Sequence, residues 1–224
     1  MSNSDSFINE VNEELKRDRL FAALKKYGWI AIVAVVGLVG WASWNEWTKA
    51  RDTAAAQAFG DAVISAIEPA DPQARSDALA RLASEGEIGD AQRGMVQFLI
   101  AAAALEQEDR AAALNALAEV ADNAALPVSY RQLATLKRVI AATEADIPLA
   151  ERQQLIATLT APGMAFRPLA LEQLALLQLE AGDRDAALAG LQALMSEPEL
   201  TDSLRSRVSQ VIVILGGTPG QSQR

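Results

Sequence analysis

Acidic side chains stand close together at four places: Glu85 with Glu87, Glu106 with Glu108 and Asp109, Asp183 with Asp185, and Glu197 with Glu199. Neighbouring carboxylates can act as general acid and base, or hold a calcium ion. All four groups fall at predicted helix ends or turns, where acids cap helices and meet solvent. The chain contains no histidine and no cysteine. That removes the usual zinc and copper ligands, disulfides, and any Ser-His-Asp or Cys-His arrangement. Gly86-x-x-Gly89 and Gly216-Gly217-x-x-Gly220 lack the preceding strand and the following Lys-Ser/Thr of a phosphate loop. Arg51, Arg131, Lys137, Arg138, Arg205 and Arg207 are expected to be helix-surface charges. One of them could grip a partner's carboxylate, but sequence does not select it. The expectation is a protein with no catalytic residues, no cofactor and no metal site, and not an enzyme.

The elements that carry these residues begin with an apolar segment. Residues 27–47 read YGWIAIVAVVGLVGWASWNEW and are uncharged from Tyr27 to Asn45. At 1.5 Å per residue this stretch rises about 30 Å, the thickness of a bilayer's hydrocarbon core. Tyr27 and Trp29 stand at one end, and Trp41, Trp44 and Trp47 at the other, where amphipathic rings favour the headgroup level. These five are the predicted membrane-interface residues of a single transmembrane helix. Lys16, Arg17, Arg19, Lys25 and Lys26 precede the span, and only Lys49 and Arg51 closely follow it. The bias predicts a cytoplasmic N-terminus and an exported C-terminal domain. The alternative is a cleaved signal with mature residue Ser43, but the leader is long and three tryptophans crowd the cleavage zone. Gly28, Ala31, Ala34, Gly37, Gly40 and Ser43 recur every third position and offer a weak signal for lateral helix contact.

Residues 1–26 are read as a cytoplasmic segment. Phe7, Val11 and Leu15 fall on one helical face, so the segment is an amphipathic helix at the inner surface or a partly disordered tail. Residues 51–224 carry 14 basic and 23 acidic side chains, a balance of −9. Such a surface repels phosphate backbones, so nucleic acid is not an expected partner. Residues 48–215 are predicted to be helical throughout, in the order 48–67, a helix from Asp71-Pro72 to about Gly86, then 90–107, 110–122, 127–142, 149–160, 168–181, 184–196 and 200–215. Alanine dominates, and prolines mark the breaks. Val211 to Leu215 is strand-like in composition, but its repeat partner argues for helix. Residues 216–224, with three glycines and a proline, are read as a flexible tail.

An internal repeat sets the architecture. Asp109-Arg110-Ala111-Ala112-Ala113-Leu114 returns 74 positions later as Asp183-Arg184-Asp185-Ala186-Ala187-Leu188. The offset holds without a gap from Ala101 and Ala175 through Leu117 and Leu191 to Ile140 and Ile214. One such unit cannot bury its apolar face alone, so stacked units share a core. The fold class is therefore all-α: an N-terminal single transmembrane helix followed by an α-solenoid.

Leu179 to Leu188 resembles the inter-helix turn of a tetratricopeptide repeat. Gly182-Asp183 supplies the turn, Ala187 and Leu188 pack the second helix, and Ala175 occupies the small position of the first. Leu171 and Gln178 replace the usual tryptophan and tyrosine. In the earlier copy, Asp109, Ala113 and Leu114 match, but Glu108 takes the place of the turn glycine, and a glutamate adopts positive φ only with strain. The first turn is expected to be built differently. The order of a Glu10–Arg17 helix, Lys26-Tyr27-Gly28, a tryptophan-ended span, an alanine-rich helix and degenerate repeats resembles the bacterial ancillary SecYEG translocon subunit family, whose repeat domain is likened to that of a cell division coordinator. The resemblance implies a bacterial inner-membrane anchor and a periplasmic domain that associates with the Sec translocon, periplasmic chaperones or secreted polypeptides. Groove contacts are expected around Leu171, Ala175 and Gln178. The competing reading is a scaffold for envelope assembly or cell division that self-associates as a homo-oligomer.

Overall fold

The computed structural model describes residues 3–86 and 88–219; within residues 3–34, side chains are described only at Lys25, Lys26 and Val33. Among the described residues there are nine helices and no strand. The chain divides into two compact units, one ending at Gly60 and one starting at Asp61.

The described residues of the first unit lie within helix α1, Asn3–Ile67. Val33, Val35, Val36, Leu38, Val39 and Trp41 are each more than half exposed. At 100° per residue these positions surround the helix axis, so the segment shows apolar surface on every side. Among the described residues, no helix is long and apolar enough to cross a membrane. Of the predicted span, the side chains of 27–32 and 34, including Tyr27 and Trp29, lie outside the described residues. At its C-terminal end the Trp44 and Trp47 rings tilt against each other at 5.6 Å between centroids, and the Arg51 guanidinium lies 6.0 Å from the Trp47 ring.

The second unit is an array of helices α2 (Pro72–Ser84), α3 (Asp90–Glu106), α4 (Arg110–Asp122), α5 (Val128–Ala141), α6 (Leu149–Ala157), α7 (Arg167–Glu180), α8 (Arg184–Leu194) and α9 (Asp202–Ile214). Each packs on the next in chain order. The starts follow from caps. Asp71 accepts the Ala74 N–H at 2.8 Å with Pro72 at the first helical position, Asp109 accepts from Ala112 at 2.9 Å, and Asp183 accepts from Ala186 at 3.0 Å. Helix α6 stops at Ala157, short of the predicted 160, because Thr158 and Thr160 turn their hydroxyls onto the Leu155 and Ala157 carbonyls. Helix α9 begins at Asp202 because Leu200 is drawn into the core and Thr201 caps the Leu204 N–H. It contains Val211 to Ile214 as helix.

Shifting the chain by 74 positions carries the end of α3 onto the end of α7, and the starts of α4 and α5 onto the starts of α8 and α9. The matched core residues are buried in both copies: Ala101 and Ala175, Ala113 and Ala187, Leu117 and Leu191, Val120 and Leu194. Alanines at these crossings let the helix axes approach closely, and the leucines fill the space between them. A third cluster, containing Leu136 and Val139 of α5, Ile156 of α6, and Ala170 and Leu177 of α7, joins the first copy to the second.

The first inter-helix turn corrects the expectation drawn from Glu108. Its φ is +60°, beside +82° for Gly182, and the surrounding hydrogen bonds coincide. Asp109 N–H donates to the Ala104 carbonyl and Asp183 N–H to the Gln178 carbonyl, both at 2.9 Å. The two turns have one geometry. The caps from Asp109 and the backbone bonds on either side over-determine the turn, and the glutamate carries the strain. At the far end, Gly216 has φ +75° and Gly217 donates to the Ile212 carbonyl at 2.9 Å. A Cβ on Gly217 would meet Leu188 Cδ1 at 2.6 Å, so this glycine is packed against α8. Residues 220–224 of the predicted tail lie outside the described residues.

Candidate protein-binding groove

The second unit contains a groove of about 250 Å³ between α3 and α5, floored by α4. Helix α3 contributes Phe98, Ala101, Ala102 and Leu105, α4 contributes Leu117, and α5 contributes Lys137, Ile140 and Ala141. Phe98 is fixed edge-on to Tyr130 at 6.1 Å. Gly94 lies one turn earlier on α3, where a Cβ would come within 3.1 Å of Leu126. Leu105 and Ile140 remain 43% and 55% exposed on the walls. The space exists because of small side chains. Seventy-four positions on, Ala102 and Ala141 become Leu176 and Leu215, and Leu215 packs against the α7–α8–α9 core. The groove is lined by carbon with one cation, so it suits an aliphatic or aromatic side chain with a carboxylate nearby. Burying one such side chain would contribute about 2 kcal/mol.

The predicted groove positions around Leu171, Ala175 and Gln178 need correction. Ala175 is fully buried, its methyl facing Gly190 of α8, and Leu171 packs on the same core. These residues join α7 to α8 and do not line the α3–α5 groove. The remaining repeat residues keep structural places: Asp109 and Asp183 cap helices, Ala113, Leu114 and Ala187 are buried, Leu188 is partly buried, and Gly182 makes the turn. Trp41, Trp44 and Trp47 are exposed on α1.

The charged residues sort themselves by partner. Arg152 is buried and donates to Glu180 at 2.9 and 2.5 Å, to Glu144 at 3.3 Å and to the Ile147 carbonyl at 3.0 Å. The hydrogen bonds donated by Arg152 hold the Glu180 carboxyl below its ordinary value, and the same bonds, accepted by Glu180, raise the Arg152 guanidinium. Arg207 grips buried Glu172 with two bonds of 2.6 Å, and Arg167 meets Glu197 at 2.7 Å. Arg205 donates to the Met195 carbonyl, and Arg51 lies over Trp47. Of the six cations singled out in sequence, only Lys137 lines the groove. Four of the grouped acids have structural partners: Glu106 pairs with Arg75, Glu197 with Arg167, and Asp109 and Asp183 cap helices, while Glu87 lies outside the described residues. Among the described residues no three acidic side chains gather closely enough to hold a metal ion.

Sequence reasoning missed Ala102 and Ala141. The signal was present in the 74-residue register, where alanine opposes leucine at both positions. Leu105 and Ile140 appeared there too, as conserved-size pairs with Leu179 and Ile214.

No curated protein and no solved structure matches the chain. Residues 24–145, more than half of its length, match the tetratricopeptide repeat-like domain family, a stretch that includes the whole groove. Domains of this kind mediate protein–protein interaction. The chain belongs to the tetratricopeptide repeat-like domain family.

Proposed function

We propose that the protein is a non-enzymatic, membrane-anchored protein-interaction module whose α3–α5 groove takes an apolar segment of another polypeptide. The observation that carries this reading is the groove itself: an apolar trough held open by Ala102 and Ala141, walled by exposed Leu105 and Ile140, with Lys137 at its edge. The anchor is supported by the uncharged, apolar surface around residues 33–41 and by the tryptophans that follow it. The lysine and arginine bias before residue 27 favours a cytoplasmic N-terminus and a periplasmic repeat unit at a bacterial inner membrane. In that setting the order of elements along the chain favours work beside the Sec translocon, with secreted polypeptides or periplasmic chaperones as occupants. Tethering raises the local concentration of the groove, so modest affinity suffices.

Purification of the full chain in mild detergent, with mass spectrometry of associated proteins, tests this function. The wild type should bring down translocon subunits or periplasmic chaperones, and Ala102→Leu with Ala141→Leu should bring down far less. Equal recovery from both forms would remove the groove from the account. Absence of secretion components would remove the translocon. Recovery of the protein from alkaline carbonate washes without detergent would remove the anchor.

A further inference from the structure

One charge stands alone in the α3–α5 groove. Of its eight lining residues, Lys137 is charged and the other seven are apolar. Among the described residues Lys137 has neither an ion pair nor a hydrogen bond. That isolation runs against the composition, since residues 51–224 carry 23 acidic and 14 basic side chains. Arg75, Arg110, Arg152, Arg167 and Arg207 each hold an acidic partner. Helix α5 contains no Asp or Glu, so no partner three or four residues away can reach the ammonium. Across the groove, Glu106 follows Leu105 on α3 but is bound to Arg75 of α2 at 2.9 Å. The register does not demand a charge here either. Seventy-four positions on stands Val211, packed against the α7–α8–α9 core.

We infer that Lys137 sets the specificity of the groove, by pairing with a side-chain carboxylate of a bound polypeptide segment whose apolar side chain enters beside Ala102 and Ala141. The inference rests on the groove function proposed above and adds the chemistry of the occupant. Lys137 stands about one turn from Ala141, roughly 6 Å along α5. An extended segment rises about 3.3 Å per residue, so the acid belongs within two or three residues of the apolar side chain. The ammonium is exposed, so the pair contributes specificity more than affinity. The rest of the repeat unit is acidic and disfavours acidic segments in general. An acid is therefore favoured only in the register that brings it to Lys137, and that register fixes how the segment lies.

The test uses the full chain in detergent as bait for a library of random peptides. Each peptide is joined to phage coat protein at its C-terminal end, so that only side-chain carboxylates are offered. Selected peptides should carry Asp or Glu within three residues of a large apolar residue. Those selected on Lys137→Glu should carry Lys or Arg there instead. Binding of one selected peptide, measured by fluorescence anisotropy, should weaken about three- to fivefold in Lys137→Gln, and equally when the peptide's acid is replaced by its amide. Making both changes should cost no more than either alone. Lys137 is exposed, so its replacement should leave the unfolding midpoint in place, and that midpoint is measured alongside. Peptides without an acid near the apolar residue, or losses that add when both changes are made, would overturn the inference. The groove itself would still stand if those peptides lose binding to the form with Ala102→Leu and Ala141→Leu. Binding that survives those two substitutions, or no enrichment at all, would overturn the groove function and this inference with it.

Discussion

The segment α2–α5 and the segment α6–α9 are built on one register, yet they do different things with it. At the helix crossings they agree: Ala113 with Ala187 and Leu117 with Leu191 are buried alike. They diverge where the first copy is open and the second is closed. Ala102, Lys137 and Ala141 leave a trough, and Leu176, Val211 and Leu215 occupy the same places in the second copy. At the positions of Phe98 and Leu133 in the first copy the second has Glu172 and Arg207, two apolar residues replaced by a bidentate ion pair. The lesson is that residues shared at the helix crossings make the fold, while the alanine-for-leucine differences at 102 and 141 decide where a groove stays open.

The comparison breaks most sharply if equivalent core residues are not equivalent in energy. Leu117→Ala and Leu191→Ala should each destabilise the protein by about 3 kcal/mol, the cost of lost burial plus a cavity. Chemical denaturation measures both, and a value near zero for either would mean that its copy is not part of the cooperative core. The ion pair comes next. Arg207→Leu strands the buried Glu172 carboxylate and should cost about 2 kcal/mol, less than for a fully buried pair because half of the Arg207 side chain meets solvent. Adding Glu172→Phe, which restores the residues of the first copy, should recover most of that loss. Failure to recover would show that the two sites differ in shape as well as in charge.

Smaller effects sharpen the turn. Gly182→Ala should destabilise by about 1 kcal/mol, and Glu108→Gly should stabilise by about 0.5–1 kcal/mol by relieving positive φ. A destabilising Glu108→Gly would mean that the glutamate side chain contributes more than its backbone strain costs. The smallest effect is acid sensitivity. Hydrogen bonds hold the folded Glu180 carboxyl below its ordinary 4.5, and those from Thr143 hold Asp146 below 3.8. Carboxyls depressed in the folded state bind protons more readily when unfolded, so stability from Glu180 is full above about pH 4.5 and declines as pH falls through its lower folded value. Glu180→Gln should flatten that decline in pH-dependent denaturation. An unchanged slope would show that Arg152 contributes no net proton linkage.

Much of this architecture was legible in the chain because its signals are local. Asp71-Pro72, Asp109 and Asp183 announce helix starts through one hydrogen bond each, and the 74-residue offset predicts which helices correspond. The groove was not legible, because it depends on three helices converging. Ala102 is one alanine among many until Ile140 and Ala141 are brought opposite it. Ala175 drew notice for the opposite reason: a small residue on a repeat helix can line a groove or admit a neighbour, and here Gly190 of α8 is the neighbour. Glu108 defeated a residue-by-residue argument, since the cap and backbone bonds around it hold a conformation that its own type disfavours.

The most direct measurement is photocrosslinking in living cells from a photoreactive residue at Ile140, with and without Ala102→Leu and Ala141→Leu. The account predicts adducts with secretion components or exported polypeptides from the open groove and their loss when the groove is filled. Adducts that persist unchanged in the filled form, or none from the open form, would contradict it.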